Sequence, residues 1–293
     1  MKEQDVTSTE RVALVTGSTS GLGEATARLL AEEGWHVVVH GRDPRKVAKA
    51  LAGVRSAGRG PGSSLVADLS RRDGVHALAD EVLAEHGRLD ALINNAGVAT
   101  PNRSARTRRV TADGLQLEWQ VNFLAPFALT LRLSGLLARS APALVVNVSS
   151  VAQGWGQLRW DDLQMAGRWD RMAAYAQSKL ALTAFTNEYA QRLRADGVRA
   201  NSLHPGMCAT KMVRSTFVLA PHRTGYGARN IVRLVTDPRL ENASGVYFHE
   251  RRRIEPNPFA QDAAARRRLW EVALDQSGVI GRPDEVPAGL LTA

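Results

Sequence analysis

Val12-Ala13-Leu14-Val15 is a short apolar run with β-branched members, and it leads directly into Thr16-Gly17-Ser18-Thr19-Ser20-Gly21-Leu22-Gly23. Such a run reads as a buried parallel strand. The next segment, Glu24 to Glu33, carries Ala25, Leu29 and Leu30 at helical spacing and stops at Gly34. Strand, glycine turn and helix, in that order, form the context a phosphate-binding loop requires. Glycines permit the tight turn and let a pyrophosphate approach the backbone N–H groups at the helix start. The spacing is G-x-x-x-G-x-G, so residues Gly17, Ser18, Thr19, Ser20, Gly21, Leu22 and Gly23 form a candidate cofactor loop. Ordinary turns use glycine too, so the loop needs support from the rest of the chain.

The strand–helix alternation continues. Val37-Val38-Val39, Ser64-Leu65-Val66-Ala67 and Leu89-Asp90-Ala91-Leu92-Ile93 read as the next three strands, with helical segments between them. Ala143 to Val148, Val198 to Leu203 and Gly245 to Phe248 complete seven. A long apolar-periodic helix is expected over Leu115 to Ser140, and another around Tyr175 to about Arg194. This pattern specifies an α/β protein: one doubly wound, Rossmann-type domain around a mostly parallel seven-stranded sheet. No proline- or glycine-rich linker divides the chain. Residues 11–293 are therefore expected to form a single domain, after a disordered tail over 1–10.

The second strand ends His40-Gly41-Arg42-Asp43, where an adenosine ribose should lie. An acidic residue ending that strand would hold a ribose diol. Arg42 instead suits a 2′-phosphate. Asp43 precedes Pro44 and reads as the cap of the next helix. NADP(H) is the expected cofactor, with NAD(H) as the alternative. Asp68-Leu69 ends the third strand, where the Asp68 carboxylate is placed to meet an adenine amino group or to cap the helix beginning near Arg71. Asn94-Asn95-Ala96-Gly97 follows the fourth, with small residues that let backbone approach a cofactor.

Tyr175 and Lys179 are four residues apart, which puts both on one helix face. An ammonium beside a phenol favours phenolate, so Lys179 is expected to lower the Tyr175 pKa and ready it for proton transfer. Ser149-Ser150 ends the fifth strand, at the carboxyl edge where open α/β sheets place their sites. Asn122 reads as a buried hydrogen bonder or a bend in its helix. Two long loops, 151–171 and 207–230, follow strands at that same edge and are expected to rim a substrate cleft. Trp155, Trp160 and Trp169 fall in the first, as local core or as a wall of an apolar pocket.

Composition narrows the function further. The formal net charge is +9. The positive charge is mostly arginine spread along the chain, with no aromatic platform between clusters, so nucleic acid is not the expected partner. The seven histidines read as structural or surface residues, so no metal is expected. Cys208 is the single cysteine, which excludes an intrachain disulfide and fits a reducing compartment. No apolar run approaches the ~18 residues of a membrane span, and Met1 to Arg11 carries no signal peptide. The reading is a soluble, cytoplasmic protein without a membrane partner; self-association stays open.

Taken together, Thr16-Gly-x-x-x-Gly-x-Gly23, Asn94-Asn95-Ala96-Gly97, Asn122, Ser150, Tyr175-x-x-x-Lys179 and Pro205-Gly206 resemble the short-chain dehydrogenase/reductase family over nearly the whole chain. The 25 positions from Ser150 to Tyr175 are more than the family commonly has. The extra segment holds Trp160-Asp161-Asp162-Leu163-Gln164, which resembles an insertion of the retinol-dehydrogenase-like and WW-oxidoreductase-like branch. Neither the membrane anchor of microsomal retinol enzymes nor a WW module is expected from these residues. The resemblance implies Tyr175 as general acid/base and Lys179 as its partner on the nicotinamide ribose. It also implies Ser150, rather than Ser149, as second donor to the substrate oxygen. Asn122 would anchor a water toward Lys179. Asn95, Ala96, Gly97, Pro205, Gly206 and Thr210 would line the cofactor. The substrate would be a small carbonyl or alcohol compound, expected to be apolar. A nucleotide-sugar epimerase or dehydratase shares Y-x-x-x-K but usually has T-G-x-x-G-x-x-G. A non-catalytic NADP-binding regulator would tend to lose Tyr175 or Lys179.

Overall fold

The computed structural model describes residues 10–58, 60–101, 106–210, 212, 215, 222–279, 287 and 290. The expected tail lies outside these residues, apart from Glu10. Eight strands form one sheet: β1 (Val12–Val15), β2 (His36–Gly41), β3 (Gly62–Val66), β4 (Ala91–Asn94), β5 (Ala143–Val148), β6 (Val198–His204), β7 (Val246–His249) and β8 (Arg252–Arg253). Their order is β3-β2-β1-β4-β5-β6-β7-β8. Every pairing is parallel except β7 with β8. The short eighth strand is added to the seven expected. It is two exposed arginines in a hairpin, and nothing in its composition announces a strand.

Strand alternation sorts the core into two faces. Leu14, Val38, Leu92 and Val145 point to one. Ala13, Val15, Val37, Val39, Ile93 and Val146 point to the other. The first face is covered by α3 (Arg72–Glu85), α4 (Leu117–Arg139), α5 (Arg171–Arg192) and α7 (Ala263–Ser277). The second is covered by α1 (Gly21–Glu32), α2 (Pro44–Ala57) and α6 (Thr224–Thr236). Helices on both faces explain why these strands are apolar throughout rather than alternating.

The helix ends show the local causes. Asp43 caps α2 by accepting from the Arg45 and Lys46 amides at 3.0 and 3.3 Å, as its place before Pro44 suggested. The capping alternative for Asp68 does not hold. Asp68 accepts from Ser70, while the first amide of α3, Arg72 N–H, donates to Asp113 Oδ2 at 2.8 Å. That cap comes from a distant loop, which sequence proximity cannot show. The long helix expected over Leu115 to Ser140 is α4, with a wide π turn at Gln120–Leu124 around Asn122. By length and composition α4 also qualifies as a membrane span, against the expectation that no segment does. However, 89% of its apolar window is buried inside the protein, as in a core helix.

The C-terminal α7 closes the face made by α4 and α5. The Trp270 ring lies 5.1 Å from Phe127 and 5.9 Å from Phe185, and the Arg192 guanidinium sits 4.4 Å above it. Glu188 joins α5 to α7, accepting from Arg192 at 2.9 Å and Arg266 at 3.0 Å.

Candidate active site

The strand order runs outward in opposite directions from β1 and β4. A crevice opens at that switch point, at the carboxyl ends of the strands. It has a volume of about 840 Å³ and takes residues from both halves of the chain.

One end is the glycine loop. Gly17 and Gly21 hold the left-handed region, with φ of +65° and +62°. A Cβ on Gly23 would fall 2.4 Å from the Gly17 carbonyl oxygen, so only glycine lets loop and helix meet there. Ser20 makes no side-chain cap to α1, and Gly21, Leu22 and Gly23 line the crevice. The helix start thus presents its unpaired amides as an anion site. Thr16 Oγ1 accepts from the Asn95 and Ala96 amides, both at 3.0 Å, and Asn95 Nδ2 donates to the Thr16 carbonyl at 2.8 Å. The loop and the Asn94–Gly97 segment are therefore one rigid floor.

At the neighbouring strand ends lie Arg42, Asp68 and Leu69, all lining the crevice. Arg42 is exposed. Asp43 is held on its helix by two amides and by Lys46 Nζ at 3.4 Å. Gly41 is forced small by Thr19, whose Cγ2 would lie 2.4 Å from a Cβ. Thr210 crosses back from the far half and packs its methyl group against Gly21.

Tyr175, Lys179 and Ser150 meet in the middle of the crevice. Tyr175 and Lys179 occupy successive turns of α5, and Ser150 follows β5 directly. The Tyr175 hydroxyl is hydrogen-bonded to the Ser150 side chain. Lys179 Nζ donates to the Val148 carbonyl at 2.8 Å. All three are buried, with relative exposures of 5%, 4% and 8%. Ser149 turns the other way, donating to the Lys179 carbonyl at 3.1 Å and meeting Thr183 Oγ1 at 2.9 Å. Its hydroxyl ties β5 to α5, although the residue itself borders the crevice.

One electrostatic expectation needs correction. Burial raises the Tyr175 pKa, opposed only by the Ser150 hydrogen bond, so the phenol holds its proton firmly. Burial also lowers the Lys179 pKa to about 7, so the amine itself is near its titration point at neutral pH. Desolvation outweighs the mutual attraction inferred from spacing alone. Asn122 is anchored within the protein. Its Oδ1 accepts from Val98 N–H at 2.8 Å, and its Nδ2 donates to Val98 O at 2.9 Å and Ser178 Oγ at 3.0 Å. The side chain thus staples the Gly97–Val98 backbone to α5.

The two rim segments divide. Val151, Ala152 and Trp155 line the crevice, as do Met207 and Met212. Trp155 is 56% exposed at its mouth. Trp160 instead packs on Phe259 (6.0 Å) beneath Arg268 (4.1 Å) and is local core. The segment 207–230 does not stay a loop, because α6 begins at Thr224. Residues 211, 213, 214 and 216–221 of it lie outside the described residues. Pro205 and Gly206 line the crevice where expected, Gly206 with φ +99°. Among the described residues no group of three or more His, Cys, Asp or Glu is placed to hold a metal.

Sequence reasoning did not single out Tyr247. Its hydroxyl donates to the Ser150 carbonyl at 3.1 Å from fully within the core. A Tyr in an apolar strand carries no local sign of that contact. Gln153 reaches the same region, accepting from Asn257 N–H at 2.9 Å.

The comparisons fit this geometry. A short chain dehydrogenase family model matches residues 11–218. The chain is a short-chain dehydrogenase. Within the short-chain dehydrogenases it falls in the retinol-dehydrogenase-like branch. It is 37% identical to retinol dehydrogenase 12 of Bos taurus over 280 residues, covering 92% of this chain and 87% of that one. An uncharacterised protein from Mycobacterium paratuberculosis has a similar solved structure, with 30% identity, a TM-score of 0.75 and coverage of 92% and 94%. A metagenomic short-chain oxidoreductase solved in complex with NADP is 27% identical, with a TM-score of 0.61 and coverage of 80% and 93%. This short-chain dehydrogenase is accordingly an oxidoreductase of alcohol and carbonyl groups.

Proposed function

We propose that the protein transfers a hydride between NADP(H) and an apolar ketone, aldehyde or secondary alcohol, with Tyr175 as the proton donor or acceptor. The observation that carries this reading is the Tyr175–Ser150 hydrogen bond at the centre of the crevice, one helical turn from Lys179. The residues present fit a nicotinamide dinucleotide. Gly17, Gly21, Gly23 and Gly41 line the crevice without side chains, and the α1 amides suit a pyrophosphate. Arg42 supports a 2′-phosphate, since Asp43 is committed to its cap. The NADP complex of the metagenomic relative supports the same choice.

The bound nicotinamide would supply or accept the hydride. In the reducing direction, negative charge develops on the substrate oxygen and needs donors placed in advance. The Tyr175 O–H gives its proton to that oxygen, and Ser150 Oγ–H steadies it. A phenol of raised pKa is fully protonated for this step. Lys179, held by the Val148 carbonyl, stabilises the phenolate left behind when it is charged. Val98, Ala152, Trp155, Met207 and Met212 line an apolar end of the crevice, which favours substrates without charge near the carbonyl. The unpaired, buried Cys208 fits residence in the reducing cytoplasm.

The direct test is NADPH oxidation followed by absorbance with a panel of apolar aldehydes and ketones. Turnover that is lost in Tyr175→Phe supports the reading. Absence of turnover with every member of the panel, despite cofactor binding, would favour a non-catalytic sensor.

A further inference from the structure

His40 is the last β2 residue before the small Gly41, and it is 2% exposed. Both ring nitrogens are engaged. Gly17 N–H donates to Nδ1 at 3.2 Å, and Nε2 lies 3.2 Å from the Ala67 carbonyl. A backbone N–H can only donate and a carbonyl can only accept. The ring must therefore be neutral, with its proton on Nε2. Burial supports that state by lowering the pKa to about 4, against the weaker pull of Asp68. The backbone repeats the attachment. Ser18 N–H donates to the His40 carbonyl at 2.9 Å, and His40 N–H donates to Ser18 Oγ at 2.9 Å.

The position gives this bridge a consequence. Strands β1 and β3 are not neighbours, because β2 lies between them. Gly17 opens the phosphate loop after β1 in a left-handed conformation, with φ of +65°. Ala67 immediately precedes Asp68 and Leu69 after β3. One imidazole thus spans from the pyrophosphate end of the crevice to its adenine end. The Gly17 peptide is held from the other side too, since its carbonyl accepts from Asn95 Nδ2 at 3.3 Å.

We infer that His40 is a positioning residue for cofactor binding: its neutral imidazole holds the Gly17 amide, and with it the glycine loop, in the conformation that receives a pyrophosphate. The affinity part rests on the dinucleotide reading above; the loop-holding part does not. Few side chains can do both jobs. Asn places an oxygen near the Nδ1 position and keeps the acceptor for Gly17. Gln places its amide near Nε2 and keeps only the link to Ala67.

The test uses the full chain with His40→Asn, His40→Gln and His40→Ala. Hydrogen exchange of the Gly17 amide is measured without cofactor, and NADPH affinity by fluorescence titration. Loss of one buried hydrogen bond corresponds to about a tenfold change in each. His40→Gln and His40→Ala should therefore speed Gly17 exchange and weaken NADPH by about tenfold or more. His40→Asn should restore most of both, and KM for NADPH should move more than kcat. If His40→Ala does not fold, the Asn and Gln variants, which fill the site, still decide the matter. Equal Gly17 exchange in Asn and Gln variants, or equal NADPH affinity in all variants that fold, would overturn the inference. If the native protein binds no NADPH, the functional reading fails, and Gly17 exchange alone tests whether His40 holds the loop.

Discussion

The Lys179 ammonium lies 5.9 Å from the centre of the Tyr175 ring and donates to the Val148 carbonyl at 2.8 Å. It sits close enough to sense charge on the phenol, yet this hydrogen bond ties it to β5. A buried amine of this kind costs stability through its lost hydration.

That cost has a pH signature. The folded Lys179 pKa is lowered to about 7 from an ordinary 10.5. Between those values the unfolded chain binds the extra proton, so this residue makes stability rise as pH goes from about 7 toward 10. Below pH 7 its penalty is present in full. Lys179→Met should raise Tm at pH 7 and lose that advantage near pH 10, while turnover collapses. Thermal melts of both proteins across that range check the sign, and a native-like pH slope in Lys179→Met would contradict it.

Arg42 should set cofactor choice. A charge-assisted bond to a 2′-phosphate contributes about 1.5–3 kcal/mol. Native protein should bind NADPH roughly tenfold or more tighter than NADH, and Arg42→Ala should erase most of the gap by weakening NADPH alone. Calorimetric titration with both cofactors measures this. Equal affinities in the native protein would remove Arg42 from the account.

Trp270 should carry much of the packing of α7. Truncating a buried tryptophan costs about 3–5 kcal/mol. Trp270→Ala also strips cover from Phe127 and Phe185. Urea unfolding should show a loss in that range, and a loss below about 1 kcal/mol would mean that α7 docks by other contacts.

Much of this molecule is legible in its sequence because its local patterns agree with one another. Val12 to Gly34 states a strand, turn and helix in consecutive residues, and the structure repeats them. Asp43 before Pro44 announces its cap. What stays hidden depends on distance in the chain. Asp113 caps α3 from 41 residues away, and Tyr247 reaches Ser150 from 97 away. The Tyr175 pKa direction is opposite to the one its spacing from Lys179 suggests, for a related reason. Spacing shows that two groups are near, but burial, which dominates here, is a property of the whole fold. His40 illustrates the remainder: a histidine ending a strand looks structural, and only the turned-in Gly17 amide shows what it holds.

The central claim is that Tyr175 moves the proton. Tyr175→Phe keeps the ring and its packing and deletes only the hydroxyl. The deciding measurement is kcat of Tyr175→Phe on the best carbonyl substrate, read with NADPH affinity. General acid catalysis contributes ~10²–10⁴-fold, so kcat should fall at least a hundredfold while NADPH binding barely changes. Turnover within about tenfold of native, with cofactor binding intact, would contradict the account and move the proton to another group.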